Sequence, residues 1–445
     1  MNIPLFLHIF FIYFLIIFNP NFAQANIVFI LVDDLGWADV SYHGSKIKTP
    51  NIDSLAKNGI KFEKFYSSQF TSQAQSSILT GRYPFRMGLQ TGSIFSNTNY
   101  GIPKDEELLP EILSQNGFNT YFCGQWALGI NNKKYLPTNN GFKYFNGFSP
   151  INTIDINAQE RVWYENDTII QNSIKDSFVQ IKNCALNIIE RNFNNDKNFL
   201  FISFPAKNNT IDQFEKFDDY KNQVEILDEI IGEIHQKIDE IDNSTYVFFQ
   251  SDNGGAKKTK YKTGDNDVNH NFSSNGPFLS GKGSFKEGAI RVLSFAYAKN
   301  LKSMTITTPL HVTDWFKTIS SIAKINYDEN KIKPLDGFDF SNYFYSSERI
   351  ASDRLILINI NELSASLIKN NWKLIYHSSL PNKLQLFNLL DDPIEENNIH
   401  NKNVEQSSKL MKIIQDLAWD MEDSFFYREK PLTNNIMFYD NPERP

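Results

Sequence analysis

The fold is decided by the stretch Ile27-Val28-Phe29-Ile30-Leu31-Val32-Asp33-Asp34, an apolar run that ends on two carboxylates. Apolar residues without polar alternation predict a strand buried on both faces, as in the parallel sheets of α/β proteins. A second run, Tyr246-Val247-Phe248-Phe249-Gln250-Ser251, ends on Asp252 and Asn253. We expect the two strands to lie side by side, so that the polar side chains meet at the carboxyl edge of one sheet.

These four polar side chains offer oxygen atoms, which are the ligands that a hard cation such as Ca²⁺ prefers. Three carboxylates at close range would raise one another's pKa values and destabilise the fold. One bound calcium ion would remove that repulsion, and Lys282 would add a further positive charge. The sequence therefore predicts a calcium site at Asp33, Asp34, Asp252 and Asn253. Two alternatives stay open: the carboxylates cap neighbouring helices and take up protons, or Lys282 is an ordinary surface lysine.

The rest of the chain alternates buried strands with helices, a pattern typical of α/β proteins with a mainly parallel sheet. Further buried strands are predicted at 119–123 and 199–204, and helices between Thr49 and Gly59, near 105–115 and over 220–241. From about residue 346 the pattern changes to short strands at 355–358 and 372–376 and a helix over 404–421. This part predicts a small subdomain with an antiparallel sheet. The polar stretch 257–275 is predicted to be a loop over the site.

Length and composition place the chain among globular proteins. It has 445 residues, of which 41% are hydrophobic and 21% charged, enough for one large domain and a smaller one. The predicted divisions are a signal peptide at 1–25, a main domain at 26–345 and a C-terminal subdomain at 346–445. The net charge of -7 argues against nucleic acid as a partner.

The N-terminus predicts entry into the secretory pathway. Residues 4–18 form an apolar run, and Ala23-Gln24-Ala25 has the small residues of a signal peptidase site. A cleaved signal peptide is the prediction, and an uncleaved anchor is the alternative. No later segment is long enough to cross a membrane. The mature protein is therefore expected to be secreted or lysosomal.

Cysteines and glycosylation sequons also bear on whether the protein enters the secretory pathway. Secretion favours disulfides, but the chain has only Cys123 and Cys184, and Cys123 lies in an apolar strand-like run. Two buried free thiols are predicted. Four sequons predict N-linked glycans, at Asn166, Asn208, Asn243 and Asn271.

Taken together, these residues resemble the sulfatase family. The resemblance rests on ordered blocks that run from about residue 26 to 400: Asp33-Asp34-Leu35-Gly36-Trp37, Thr49-Pro50-Asn51-Ile52-Asp53, Thr80-Gly81-Arg82-Tyr83, Ser251-Asp252-Asn253-Gly254-Gly255, Gly281-Lys282-Gly283, Leu335-Asp336-Gly337 and Trp372-Lys373-Leu374. Gly88-Leu89-Gln90-Thr91-Gly92 and Leu136-Pro137-Thr138 are similar to arylsulfatase B, the N-acetylgalactosamine-4-sulfatase type. The resemblance implies an alkaline-phosphatase-like fold, a calcium ion, a sulfated glycan or aryl sulfate ester as ligand, and a possible dimer.

The chain departs from the family pattern at the catalytic and sulfate-binding positions. The family signature is Cys-x-Pro-Ser-Arg, and counting back from Thr80 puts Thr71 at its cysteine and Gln75 at its arginine. The family block Gly-Lys-Trp-His-Leu-Gly reads Gly124-Gln125-Trp126-Ala127-Leu128-Gly129 here. A further family histidine corresponds to Asn208. Among the polar residues that bind sulfate in the family, only the lysine is retained, as Lys282.

These departures predict impaired catalysis. Family sulfatases convert the cysteine to formylglycine, whose hydrate has one hydroxyl to attack sulfur and another to expel sulfate. Formylglycine is not expected here, and Thr71 has a single hydroxyl that could attack but could not eliminate. The alternative is a purely structural role for Thr71 as a helix N-cap. None of the seven histidines falls in a family ligand block, although His270 lies in the loop near the site.

Three functions remain open on the sequence alone. The first is a secreted calcium-binding protein of the sulfatase type that has lost hydrolysis and binds sulfated sugars or a protein partner. The second is a functioning hydrolase of sulfate or phosphate esters, since related phosphodiesterases use a threonine nucleophile at this place. The third is a structural subunit that dimerises with an active paralogue.

Overall fold

A computed structural model describes residues 25–150, 162–171, 176–194, 197–206, 217–242, 244–256, 261–263, 266–268, 272–345, 354–379, 381 and 383–428. Residues 1–24 of the predicted signal peptide lie outside these ranges. So do the predicted sequons at Asn208, Asn243 and Asn271, residue His270 and much of the predicted loop 257–275. The predicted division between residues 345 and 346 borders an undescribed stretch and stays a prediction.

A ten-stranded mixed sheet forms the centre of the main domain. In spatial order its strands are β14 (Met304–Ile306), β2 (Ile60–Phe62), β13 (Ser294–Tyr297), β9 (Tyr246–Ser251), β1 (Ile27–Val32), β8 (Asn198–Phe204), β4 (Asn119–Gln125), β5 (Tyr144–Phe148), β6 (Trp163–Glu165) and β7 (Thr168–Gln171). The central strands β9, β1, β8, β4 and β5 run parallel, whereas β13 and β6 pair antiparallel. The predicted α/β class with a mainly parallel sheet is confirmed.

Strands β1 and β9 are buried along their whole length because helices cover both faces of the sheet. Phe29 and Leu31 point into one apolar cluster, while Val28 and Ile30 point into the other. Alternate side chains of one strand therefore face opposite helix layers, as expected of a parallel sheet. In register, Val32 lies opposite Ser251, so the residues after each strand leave the sheet at the same edge.

The helices that flank this sheet are α1 (Pro50–Asn58), α2 (Thr71–Thr80), α3 (Leu109–Gln115), α4 (Ser177–Asn192), α5 (Phe217–Ile241), α6 (Glu287–Ile290) and α7 (Asp314–Ile322). Helix α5 agrees with the predicted 220–241 and buries Val224, Leu227 and Ile231. Helix α3 starts later than predicted, because Leu108 caps it and the Glu111 side chain accepts from the Leu108 N–H. A small sheet joins β3 (Phe65–Tyr66), β12 (Arg291–Val292) and β15 (Leu310–His311), and β10 (Tyr261–Thr263) pairs with β11 (Asn266–Val268).

The C-terminal part is a four-stranded antiparallel sheet, as predicted. Its strands are β16 (Leu355–Ile360), β17 (Ser364–Lys369), β18 (Trp372–His377) and β19 (Lys383–Asn388). One face packs against helix α8 (Val404–Ala418) through residues such as Leu410 and Ile414. The other face packs on Phe285, Ala289 and Ile290 of the main domain, so this sheet supports the segment around α6. A last helix, α9, spans Phe425–Arg428.

The prediction of two free thiols is wrong. Cys123 of β4 and Cys184 of α4 form a disulfide, with their Cα atoms 6.1 Å apart. The two positions are 61 residues apart in sequence, and only the packing of α4 against the sheet brings them together. Among the described residues, no helix combines the length and apolar character that a membrane span requires.

Candidate metal centre

The predicted metal ligands meet at the carboxyl edge of strands β1 and β9. One carboxylate oxygen from each of Asp33, Asp34 and Asp252 lies within 4.8 Å of the others. The backbone N–H of Asp34 donates to Asp252 Oδ1 at 3.1 Å, and Asn253 Nδ2 donates to Asp34 Oδ1 at 2.7 Å. Asp34 has a φ of 60°, which turns the chain back over the strand ends. The alternative that these carboxylates cap helices finds no support among the described helix caps.

Lys282 belongs to this cluster and is not an ordinary surface lysine. Its Nζ lies 2.6 Å from Asp34 Oδ1 and 3.2 Å from Asp33 Oδ1, and its side chain is 20% exposed. The lysine thus closes the outer side of the acidic group. It compensates one of three negative charges, so the cluster keeps an excess of negative charge when the carboxylates are ionised.

The pKa values of the three carboxyl groups shift in different directions because of burial and neighbouring charges. Burial raises the pKa of Asp34 to about 6, and repulsion from Asp33 adds to that shift, although Lys282 opposes it. Burial and the charges of Asp33 and Asp34 raise the pKa of Asp252 well above its ordinary value. Burial also acts on Asp33, but attraction to Lys282 and hydrogen bonds from Gln125 and Thr71 outweigh it and lower the Asp33 pKa. Asp34 and Asp252 therefore hold their protons to a higher pH than ordinary aspartates, and a divalent cation would compete with those protons.

The donor set fits a hard cation. Asp252 Oδ2 and Asn253 Oδ1 are buried and have no hydrogen-bond partner among the described residues. Buried oxygens without partners are uncommon in folded proteins, and carboxylate and amide oxygens are the usual ligands of Ca²⁺. Asp33, Asp34, Asp252 and Asn253 would hold the ion, which would supply positive charge beside the Thr71 hydroxyl. Within the described residues, the group able to hold a metal includes no histidine.

Calcium should stabilise the protein more at neutral than at acidic pH. The folded-state pKa of Asp34 is about 6, above its ordinary 3.8, so without metal this group stabilises the fold at low pH and that contribution falls as pH rises toward 6. Calcium needs the ionised form and reverses the loss. We expect a calcium-induced stabilisation of about 2.7 kcal/mol at a hundredfold excess over Kd near pH 7.5. The melting-temperature shift should be much smaller near pH 5, and Asp252→Asn should abolish it at both pH values.

Thr71 is placed at the same cluster. It is the first residue of helix α2, whose N-cap is Phe70, so the alternative of an N-cap threonine is wrong. The Thr71 hydroxyl donates to Asp33 Oδ1 at 3.0 Å, and the residue is 6% exposed. The helix starts one residue before the cap interpretation requires. Its first side chain therefore faces the carboxylates rather than its own backbone.

The remaining substituted positions form a neutral amide bridge between α2 and β4. Gln75 Nε2 donates to the Gln125 carbonyl at 3.1 Å, and Gln75 Oε1 accepts from the Ala127 N–H at 2.7 Å. Gln125 Nε2 in turn donates to Asp33 Oδ2 at 2.9 Å. Gln73 donates to the Gln90 carbonyl. The amides of Gln75 and Gln125 therefore join α2 to β4, and Gln125 donates to the same carboxylate as Thr71.

One buried group beside the site was missed from the sequence. Asp39 Oδ2 accepts hydrogen bonds from the Gly36 N–H at 2.8 Å, the Tyr220 hydroxyl at 2.6 Å and the Ser273 hydroxyl at 2.7 Å. Burial raises its pKa to about 6 although these bonds oppose the shift. Asp39 thus fixes the turn after Asp34. Its place in the block that starts at Asp33 was the only signal in the sequence.

Two curated proteins illustrate what this chain is similar to in sequence. Mouse arylsulfatase J is 29% identical over 379 residues, which cover 79% of this chain and 60% of that protein. Rat N-acetylgalactosamine-6-sulfatase is 30% identical, with 71% of this chain and 64% of that protein covered. The chain thus spans less than two thirds of the length of these relatives. Neither relative bears the name arylsulfatase B, so the narrower arylsulfatase B assignment stays a prediction.

Solved structures share the fold. The crystal structure of Ps i-CgsB in complex with k-i-k-neocarrahexaose superimposes with a TM-score of 0.77 at 23% identity, covering 90% of this chain and 94% of that one. PsFucS1 sulfatase from Pseudoalteromonas sp. gives a TM-score of 0.70 at 20% identity, covering 90% and 91%. The family model named Sulfatase matches residues 25–325, most of the chain. The chain therefore belongs to the sulfatase family.

Proposed function

We propose that this protein binds one calcium ion at Asp33, Asp34, Asp252 and Asn253 but does not complete the hydrolysis of sulfate esters. The observation that carries the proposal is the single hydroxyl of Thr71, which donates to Asp33 at 3.0 Å while the Gln125 amide donates to the other oxygen of that carboxylate. The fit of the donor set to a hard cation supports the metal, and the preference of oxygen ligands for such ions supports calcium.

A single hydroxyl limits the chemistry to a first half-reaction. If Thr71 Oγ1 attacked sulfur, the alcohol would leave and a threonine O-sulfate would form. A geminal hydroxyl would then lose its proton and expel sulfate, but threonine has none. Release would need water to attack the sulfur, with a group to take the proton from that water. Gln75, Gln125 and Ala127 cannot take a proton at neutral pH, and the carboxylates beside Thr71 would be engaged by the calcium ion.

The rate cost of these substitutions is large. Loss of a general acid or base lowers a rate by about 10²- to 10⁴-fold. Loss of a group that stabilises charge in the transition state costs about 10²- to 10³-fold. Such losses are not additive, yet several together leave little of the total acceleration.

A second function is favoured by one contact. Asp33 Oδ1 accepts a hydrogen bond from the Thr71 hydroxyl, with 3.0 Å between the two oxygens, an arrangement in which a carboxylate can assist attack by a hydroxyl. A threonine-nucleophile hydrolase of sulfate or phosphate esters would use this contact. Because burial excludes most solvent from Thr71, the product ester would be poorly exposed to water. The first function therefore remains the better supported.

Turnover by Thr71 variants decides between the two. Wild type, Thr71→Ala and Thr71→Ser should hydrolyse an aryl sulfate and an aryl phosphate at the same background rate in the presence of calcium, because no complete catalytic set exists. Steady turnover that falls to background in Thr71→Ala and persists in Thr71→Ser would instead establish the hydrolase. Mass spectrometry of the peptide that holds Thr71 should show unmodified threonine, without an aldehyde or a sulfate.

The ligand and the location are part of this proposal. A sulfated glycan or an aryl sulfate ester is the ligand that the family implies, and binding rather than turnover would be the role. The Cys123–Cys184 disulfide supports passage through the secretory pathway, to the outside or to lysosomes. Asn166, in the turn between β6 and β7, is a candidate glycan site. A dimer with an active paralogue would appear as co-purification, and a dimer of two copies would appear as a doubled mass in solution.

A further inference from the structure

The Asp39 carboxylate joins the first ligand turn, residues 33–36, to a distant segment of the chain. Asp39 is 1% exposed, and its Oδ2 accepts from the Gly36 N–H at 2.8 Å. The same oxygen accepts from the Ser273 hydroxyl at 2.7 Å, and Oδ1 accepts from the Ser274 N–H at 2.9 Å. The first ligand turn and this serine pair are therefore fixed to each other by one buried group.

The residue that follows the serine pair is fixed to the second ligand turn, residues 252–255. Asn275 Nδ2 donates to the Gly255 carbonyl at 2.8 Å, and Asn275 Oδ1 accepts from the Gly255 N–H at 2.8 Å. Asn275 Nδ2 also donates to the Ser280 carbonyl at 3.1 Å. The Lys282 N–H donates to the Gly255 carbonyl at 3.3 Å. The segment that carries Lys282 thus connects both ligand turns.

Two glycines allow the ligand turns to come this close. A Cβ atom at Gly36 would lie 2.7 Å from Ser273 Oγ, and a Cβ atom at Gly255 would lie 1.6 Å from the same oxygen. The Gly255 Cβ position is also only 3.1 Å from the Gly36 Cα. A side chain at either position would push the two turns apart, because packed interiors leave no room for such contacts. The Ser273 hydroxyl therefore lies between the two turns and separates them by a fixed distance.

We propose that Asp39 and Ser273 are positioning residues that fix the separation of the two ligand turns and thereby give the site its preference for calcium over magnesium. The inference rests on the calcium site of the proposed function. Calcium accepts oxygen ligands at about 2.3–2.6 Å in variable geometry, whereas magnesium requires a near-ideal octahedron at about 2.0–2.1 Å. Ligand turns that cannot approach each other further therefore favour the larger ion.

Calorimetric titration of metal-free protein with calcium, and of a separate sample with magnesium, tests this role near pH 7.5. At this pH Asp39 is ionised, since burial raises its pKa only to about 6. Asp39→Asn should weaken calcium binding about tenfold or more, because an amide nitrogen cannot accept the hydrogen bonds of a carboxylate oxygen. The ratio of the magnesium Kd to the calcium Kd should fall about threefold or more, since the loosened turns can close on the smaller ion. Ser273→Ala should change both quantities in the same direction.

Asp228→Asn is the matched control. Asp228 is also 1% exposed and accepts from the backbone N–H groups of Asn51 and Ile52, which lie outside both ligand turns. Its replacement should leave both Kd values within about twofold of wild type. If Asp39→Asn does not fold, Ser273→Ala alone decides.

The outcomes separate this inference from the proposed function. Wild type that binds no calcium refutes the proposed function and the inference with it. Wild type that binds calcium, with an unchanged calcium Kd in the Asp39 and Ser273 variants, refutes only the inference. An equal rise of the calcium and magnesium Kd values, with their ratio unchanged, also overturns it, because a merely structural role would weaken both ions alike.

Discussion

Lys373→Met should lower the free energy of unfolding by about 3–5 kcal/mol, because it leaves Glu395 buried without its counter-charge and Glu287 with only Arg291, whose Nη1 lies 3.7 Å from Glu287 Oε2. Lys373 is wholly buried in β18, and its Nζ lies 3.0 Å from Glu287 Oε1 and 2.8 Å from Glu395 Oε1. Burial and repulsion from Glu287 raise the pKa of Glu395, although Lys373 opposes that shift. Urea unfolding measures the loss.

Lys383→Met is the matched control for this variant. Lys383 is exposed on the neighbouring strand β19, and its replacement should change stability by less than about 0.5 kcal/mol. Adding Glu395→Gln to Lys373→Met should recover part of the lost unfolding free energy, since one buried, unpaired negative charge is then removed. A Lys373→Met protein as stable as wild type would show that the cluster contributes nothing.

The same cluster connects stability with the candidate site. Glu287 starts helix α6, five positions after Lys282, and its N–H donates to Glu395 Oε2 at 2.6 Å. The Tyr66 hydroxyl donates to Glu287 Oε2 at 3.2 Å. These bonds fix the segment that carries Lys282 between the main sheet and the C-terminal sheet. We therefore expect Lys373→Met to weaken calcium binding as well.

Removal of the disulfide has the second largest expected effect. The Cys123→Ala, Cys184→Ala double variant should lose about 4 kcal/mol of stability, the chain-entropy value for a closed loop of this length. Thermal or urea unfolding of the variant, compared with wild type with and without a reductant, gives the value. Cys123 lies two residues before Gln125 on the same strand, so the variant should also show whether β4 needs this cross-link to hold Gln125 beside Asp33.

Two outcomes would contradict this account of the disulfide. Wild type that carries two titratable thiols after purification under non-reducing conditions would show that the bond does not form. A double variant as stable as wild type would show that the bond adds nothing to the packing of α4 on β4. The control is reduction of the double variant, which should change nothing.

The sequence was sufficient for the parts of the fold that depend on local pattern. The apolar runs that end at Val32 and Ser251 predicted neighbouring parallel strands, and the parallel register between them is confirmed. The long helix was predicted from apolar residues spaced three and four apart, and it buries that face. The change to short apolar strands from about residue 346 correctly predicted the antiparallel sheet.

Features that depend on packing between distant elements could not be predicted. Nothing local to Cys123 or Cys184 indicates that α4 lies against β4. The buried partners of Lys373, Glu287 and Glu395, come from separate segments, so the strand around Lys373 gave no sign of an ion cluster. Gln75 was read as the loss of a cation, and only the structure shows that its amide joins α2 to β4.

In the candidate site, too, some features could be predicted from the sequence and others required the structure. Asp33, Asp34, Asp252 and Asn253 were placed together because strand ends meet at one edge of the sheet, and the structure brings them within contact. Thr71 was located by counting along a motif, but its hydrogen bond to Asp33 required the actual start of helix α2.

The central claim, a bound cation without turnover, is tested most directly by counting released alcohol and bound calcium in one sample. Purified wild-type protein is loaded with calcium, freed of excess ion and incubated with an aryl sulfate until product is quantified. We predict one calcium per chain and fewer than one alcohol released per chain. Many alcohols released per chain, at a rate that falls to background in Thr71→Ala, would contradict the account, as would protein that retains no calcium.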